Sequence, residues 1–285
     1  MKDDSHSTST RRRAGHELLV KELMTRRVTT IQEHESVALA HQMMLWGGTR
    51  HLPVVREEMI VGVVSDRDVI SIVENKPAHA IPIRDVMSMH VETVPPDMTV
   101  TEASARMAAL RIDCLPVVKD HKLVGILTSS DVLAERGHLV LKASAGPGHI
   151  PVARDVMHRR LLTVTVDTAL HDAVEKMVTA EVRHLPVVDA EGRVIGMLSD
   201  RDLRAFVGDP REALTTGESP LLATVVEQVM RNAPVLVRDD ATLIEIADAF
   251  VDERIGAVPV VDADDSLVGI VSYIDVLAYF VGRKL

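Results

Sequence analysis

The chain repeats itself four times, and that periodicity restricts its folding more than any other feature. Met24, Met87, Met157 and Met230 are each followed 29 residues later by a proline, at Pro53, Pro116, Pro186 and Pro259. A glycine comes nine or ten residues further on, at Gly62, Gly125, Gly196 and Gly269. Six residues beyond each glycine stands an aspartate: Asp68, Asp131, Asp202 and Asp275. Four copies of a unit of about 60 residues thus fill nearly all of the 285 residues.

Within a copy the local signals agree. Position +6 from the methionine (Thr30, Thr93, Thr163, Leu236) sits in a short apolar run that reads as a strand. Positions +13, +16 and +20 are Val37, Ala40 and Met44 in the first copy and Val100, Ala103 and Met107 in the second. They are Leu170, Ala173 and Met177, then Leu243, Ile246 and Phe250, in the last two. Steps of three and four put them on one helix face. Two apolar runs separated by a charged turn follow, 52–55 and 60–64 in the first copy, and predict a β-hairpin. A second short helix begins near Ser65. The unit is β-α-β-β-α, and one unit alone buries too little surface, so pairing between units is expected.

The copies alternate. The first and third carry Arg-His-Leu-Pro-Val-Val (50–55, 183–188) and Ser-Asp-Arg-Asp (65–68, 199–202). The second and fourth have Arg111-Ile112 and Arg254-Ile255 before the proline and lack the Asp-Arg insert. An A–B–A–B order implies a duplicated two-unit module. The expected organisation is a loose tail at 1–16, repeats at 17–78 and 79–141, a small, helix-breaking linker at 142–150, a repeat at 151–208, a loop at 209–222 and a last repeat at 223–285.

Composition narrows the function. The net charge is −10 and only six residues are aromatic, which leaves neither a basic footprint nor a stacking platform for nucleic acid. No apolar stretch reaches the roughly 18 residues of a membrane span, and the polar start has no signal-peptide core. A cytoplasmic location is expected. The lone Cys114 forms no internal disulfide and joins no metal cluster, and no His-Glu-x-x-His, Walker, Rossmann or Gly-x-Ser-x-Gly pattern occurs. Fewer than about 50 residues remain outside the repeats, too few for a catalytic domain, so no enzyme activity is expected.

The run Met…Leu-Pro-Val-Val…Val-Gly-Val-Val-Ser-Asp-Arg-Asp resembles the cystathionine-β-synthase-type (CBS) domain, and two in tandem resemble a Bateman module. The resemblance covers residues 17–285. It implies α/β repeats paired through their sheets into two modules that pack as an intrachain disk. It also implies clefts for an adenosine-containing small molecule.

The Ser/Thr-x-x-Asp elements (Ser65/Asp68, Thr128/Asp131, Ser199/Asp202, Ser272/Asp275) read first as helix capping boxes. A carboxylate there can also accept both hydroxyls of a ribose beside a helix N-terminus suited to phosphate, and the family's ribose-binding aspartate carries over onto these four positions. Arg67 and Arg201 lie in the first turn of the second helix, where a cation opposes the helix dipole and a polyanion would relieve it. Arg50-His51 and Arg183-His184 enter the Pro-Val-Val strand, where arginine can fork onto phosphate; the plainer reading is solvated charges pairing with Asp66 or Asp200. Thr30, Thr93 and Thr163 could reach a ribose or phosphate oxygen, or serve only as strand residues. Val28, Val91 and Leu161, with Pro53, Pro116 and Pro186, are candidates for an adenine slot or for core. Copy four, with Leu236 and Gly256-Ala257, has the weakest phosphate equipment.

The expected function is a stand-alone regulatory sensor of AMP, ADP or ATP that signals to a protein partner through module packing. The adenine nucleotide is a regulatory ligand rather than a cofactor, with Mg if it is ATP. The alternatives are a nucleotide-indifferent scaffold or a binder of S-adenosylmethionine, NAD or a cyclic dinucleotide. The assembly is a monomeric pseudo-dimer disk or a homodimer.

Overall fold

The computed structural model describes residues 17–73, 76–135, 150–216 and 219–282; the expected tail and all of the linker but Ile150 lie outside them. The first helices are Val37–Gly47, Val100–Leu110, Leu170–Thr179 and Leu243–Asp252. In each, the three apolar positions read from the repeat are buried in the core. Thr99 with Glu102 and Thr242 with Glu245 form reciprocal caps, so these helices start where their orphan N–H groups find partners.

The four hairpins share one register. His51 faces Ser65, Cys114 faces Thr128, His184 faces Ser199 and Ala257 faces Ser272. Each slips by a bulge at the same place, after Val54, Val117, Val187 and Val260, the residues opposite the four glycines. The second helix follows its hairpin without a loop: Asp66–Val73, Asp200–Val207 and Tyr273–Phe280, with residues 129–135 helical in the second repeat. The Ser/Thr-x-x-Asp element therefore sits at the corner between sheet and helix.

The first strand is shorter than its apolar run suggests. It is Ile31–Gln32 in repeat one and Val237–Arg238 in repeat four, parallel to the Pro-Val-Val strand. In the other two it shrinks to the single bridges Val94 to Val117 and Val164 to Val187. The reason is that the chain before it belongs to the other repeat of the module. Thr25 bridges to Ile126, Ser88 to Val63 and His158 to Ile270, while Arg231–Asn232 adds an edge strand along Gly196–Met197. The 3₁₀ turn Ile83–Asp85 docks on repeat one through Ile83 N–H to the Glu35 carbonyl at 2.8 Å. The segment Val20–Leu23 docks on repeat two in the same way, with Val100 N–H donating to Leu18 at 2.8 Å.

This reciprocal crossing explains the recurring methionines and glycines. Met24 lies on Gly125, Met87 on Gly62, Met157 on Gly269 and Met230 on Gly196. A Cβ at Gly125 would stand 2.9 Å from Met24 Cγ and 3.1 Å from the Thr25 carbonyl, so only glycine lets the crossing strand approach. The methionine that opens each copy in the sequence thus packs in its partner.

The stretch 209–222, expected as a loop, contains the helix Pro210–Thr216 and the 3₁₀ turn Pro220–Ala223. Asp209 caps the helix, its Oδ1 accepting from the N–H groups of Arg211 at 2.9 Å and Glu212 at 3.2 Å, and Pro210 occupies the first turn, where its missing N–H costs nothing. Buried Ala213 and Leu222 anchor the stretch to the core of repeat three.

The modules meet so that each repeat touches its counterpart. Helix Asp66–Val73 packs on Asp200–Val207, and Tyr273–Phe280 packs on Val100–Leu110. Repeats two and four share one apolar core, whereas repeats one and three keep separate cores. Among the described residues no helix is long and apolar enough to cross a membrane.

Candidate functional site

All four aspartates cap the second helix. Asp68 Oδ2 accepts from Ser65 N–H at 2.9 Å and Ser65 Oγ–H at 2.6 Å. Asp131 Oδ2 takes both Thr128 donors at 2.7 Å, and Asp275 Oδ2 takes those of Ser272 at 2.6 and 2.7 Å. Asp202 Oδ2 accepts Ser199 N–H at 3.0 Å and also its hydroxyl. The capping arrangement consumes one oxygen of each carboxylate and leaves Oδ1, with two lone pairs, for another partner.

A cavity of about 630 Å³ opens on Asp68, within the size range of small-molecule sites. Repeat one supplies His51, Ser65, Arg67 and Asp68 to it, and repeat two supplies Ser88, Val91, Asp113 and Pro116. Arg183 enters from repeat three. Val91 therefore stands with the carboxylate of the other repeat, as the crossing requires. A smaller cavity of about 220 Å³ opens on Asp202, with Arg50, Arg67, Arg183, His184, Ser199 and Arg201 among its walls. Arg67 and Arg183 border both cavities.

Neither cavity is lined by Thr30, Thr93, Thr163, Thr128, Asp131, Ser272 or Asp275. The same holds for Val28, Leu161, Pro53 and Pro186; both prolines are buried within their hairpins.

Where the modules meet, the charges interlock. Asp66 pairs with Arg201 and lies 4.0 Å from Arg50 Nε. Arg67 lies 3.7 Å from Asp200 and 3.9 Å from Asp113. Arg50 also donates to the Arg254 carbonyl of repeat four. Burial, then a neighbouring cation (Arg201 for Arg50, Arg67 for Arg183), lowers the pKa of both arginines, as expected where positive charge is in excess.

The two histidines beside these arginines are not cations at neutral pH. Burial holds His51 below its ordinary value, and burial with Arg67 and Arg183 pushes His184 down to about 4. Gly256 of repeat four accommodates the His184 ring, whose Cε1 lies 3.0 Å from where a Cβ would be. Cys114 is packed, its thiol pushed up to about 12 by burial and Asp113, and is no nucleophile.

Three residues escaped the sequence reading. Asp113 aligns with Arg50 and Arg183 but carries the opposite charge, and its buried Oδ1 has no hydrogen-bond partner among the described residues. Arg231 Nε lies 3.0 Å from Asp202 Oδ1, and His158 Nε2 lies 2.8 Å from Asp275 Oδ1. For Arg231 and His158 the available signal was their common place, one residue after the repeat methionine.

The CBS domain profile matches residues 20–75, 83–138, 153–209 and 226–282, one match per repeat. Protein MJ1225 of Methanocaldococcus jannaschii is 25% identical over 92% of this chain and 98% of its own length. Its crystal structure, described as that of a proposed archaeal homologue of γ-AMPK, covers 92% of this chain and all of its own with a TM-score of 0.73 at 24% identity. A conserved Pyrococcus horikoshii protein gives a TM-score of 0.61 at 22% identity, over 92% of this chain and all of its own. CBSX2 of Arabidopsis thaliana in complex with AMP is 31% identical over 45% of this chain and 94% of its own, with a TM-score of 0.38.

Proposed function

This chain belongs to the CBS domain family, and from that premise we propose that it is a regulatory protein that senses an adenine nucleotide in the cleft on Asp68. The observation that carries this reading is the convergence, on one 630 Å³ cavity, of an N-cap carboxylate, the start of a helix and the side chains of Arg67 and Arg183. Oδ1 of Asp68 accepts the two ribose hydroxyls, since Oδ2 is held by the cap. The phosphates then face Arg67, Arg183 and the partial positive charge of the helix N-terminus. Val91 and Pro116 offer the apolar wall that an adenine ring needs.

The regulatory step follows from what Arg67 already holds. Its contacts reach Asp200 of repeat three and Asp113 of repeat two. A phosphate that draws the guanidinium into the cleft competes with both, so occupancy favours a different packing of helix Asp66–Val73 on Asp200–Val207. A ligand shifts such an equilibrium only by its differential affinity for the two packings. The changed face between the modules is what a protein partner would read.

Isothermal titration of the full chain with AMP, ADP, ATP, adenosine and S-adenosylmethionine tests the proposal. Asp68→Ala is expected to weaken every adenosyl ligand by roughly tenfold or more, the worth of a charged hydrogen bond. Arg67→Ala is expected to weaken the nucleotides and spare adenosine. Absence of heat with all five compounds overturns the sensor and leaves a scaffold indifferent to nucleotide.

A further inference from the structure

The four capping carboxylates are not equivalent toward the space in front of them. What differs is the residue after the crossing methionine, which the crossing carries to the partner repeat: Thr25, Ser88, His158 and Arg231. In the second module this residue places a side-chain nitrogen on the partner's carboxylate. Arg231 holds Oδ1 of Asp202 at 3.0 Å and His158 holds Oδ1 of Asp275 at 2.8 Å. The acids are sequestered, with side chains only 11% and 4% exposed, while Arg231 and His158 come in from solvent. In the first module Ser88 and Thr25 are neutral. Among the described residues no protein group donates to Oδ1 of Asp68 or Asp131.

The cavities follow the same division. Ser88 borders the 630 Å³ cavity on Asp68, and Arg231 borders the 220 Å³ cavity on Asp202, which falls below the range of ordinary small-molecule sites. A vicinal diol entering the second module would have to replace a charge-assisted hydrogen bond, roughly twice as strong as a neutral one. It would also have to displace the side chain that fills the space.

We propose that the residue after the crossing methionine selects which clefts take a ribose: neutral Ser88 leaves Asp68 open, whereas Arg231 and His158 latch Asp202 and Asp275 from within and close the second module to diol ligands. The inference rests on the nucleotide reading above and adds to it that the two modules are functionally unequal. The first is the sensing half, and the second is held in one packing without ligand.

Titration of the full chain with AMP separates the two ideas. The wild type is expected to bind through the first module alone, its affinity falling in Asp68→Ala and no site of comparable affinity remaining once Asp131→Ala is added. Arg231→Ser, which copies Ser88, is expected to add a second site or to raise affinity at the second module by roughly tenfold. His158→Thr, which copies Thr25, is expected to free Asp275 in the same way. Circular dichroism confirms that these exposed substitutions leave the fold intact. An Arg231→Ser isotherm identical to that of a wild type that binds through Asp68 overturns the latch alone, whereas wild-type binding that persists undiminished in Asp68→Ala overturns the Asp68 site as well. Silence from the wild type and every variant overturns the nucleotide reading together with the latch.

Discussion

His184 shows how far a single environment can reverse the role that a side chain's identity suggests. Beside Arg183 at the mouth of a strand it reads as a second phosphate donor, yet burial and the facing Arg67 and Arg183 keep it neutral to about pH 4. The unfolded chain protonates the same ring near its ordinary 6.5. Between those values the unfolded state binds a proton that the folded state refuses, so stability is complete above about pH 6.5 and falls as the pH drops toward 4, by up to about 1.4 kcal/mol per pH unit. His184→Gln removes this site, and urea melts between pH 6.5 and 4.5 should show a shallower decline than wild type; an unchanged decline would place the protonation elsewhere. The capping aspartates, by contrast, were legible, because Ser/Thr-x-x-Asp states its own local geometry. Asp113, Arg231 and His158 were not, because their partners lie in another repeat and spacing along the chain carries no information about a crossing.

At the scale of elements, a left-handed residue follows each first helix, directly or one position on, 24 positions after the methionine: Gly48, Arg111, Glu181 and Arg254, with φ of 61°, 54°, 53° and 52°. Only the first is the glycine that this backbone favours. Arg111 borders the Asp68 cavity and Arg254 the Asp202 cavity, whereas Glu181 borders neither. The strain at Glu181 therefore has no compensating contact with either cleft. Glu181→Gly is expected to stabilise the chain by about 0.5–1 kcal/mol, the left-handed penalty less the extra entropy that glycine loses on folding. Differential scanning calorimetry would show a raised midpoint; a lowered one would mean that the side chain makes a stabilising contact. The helices and hairpins themselves were readable, since the buried positions and the shared hairpin register both follow from the repeat. What misled was treating each copy as self-contained, which lengthened the first strand. Reading Gly208 to Pro220 by its turn-forming residues also missed a helix that Asp209 and Pro210 start.

Across the whole molecule the two contacts between modules differ in kind. Repeats two and four merge into a single apolar core in which Val100 and Met107 join Leu243, Val276 and Leu277, all essentially buried. Repeats one and three meet through Asp66, Arg67, Asp200 and Arg201, each a quarter exposed or close to it, and their described residues form two separate apolar cores. The residue after the hairpin decides this: it is Asp66 and Asp200 on one side and Ser129 and Tyr273 on the other. Apolar packing gives way all or none, whereas half-buried ion pairs can exchange partners with a ligand's phosphate, so the responsive joint belongs at repeats one and three. Asp66→Ala leaves Arg201 and Arg50 without that carboxylate and should cost about 1–2 kcal/mol at this joint. Amide hydrogen exchange should then speed up in residues 66–73 and 200–207 while 100–110 and 273–280 stay protected. Raising the ionic strength from about 0.1 to 1 M, which shortens the screening length from about 10 to 3 Å, should act in the same direction and more weakly, because these pairs are partly shielded from solvent. Equal loss of protection at both joints would mean that the modules move as one body and that the polar joint has no independent freedom to transmit a signal.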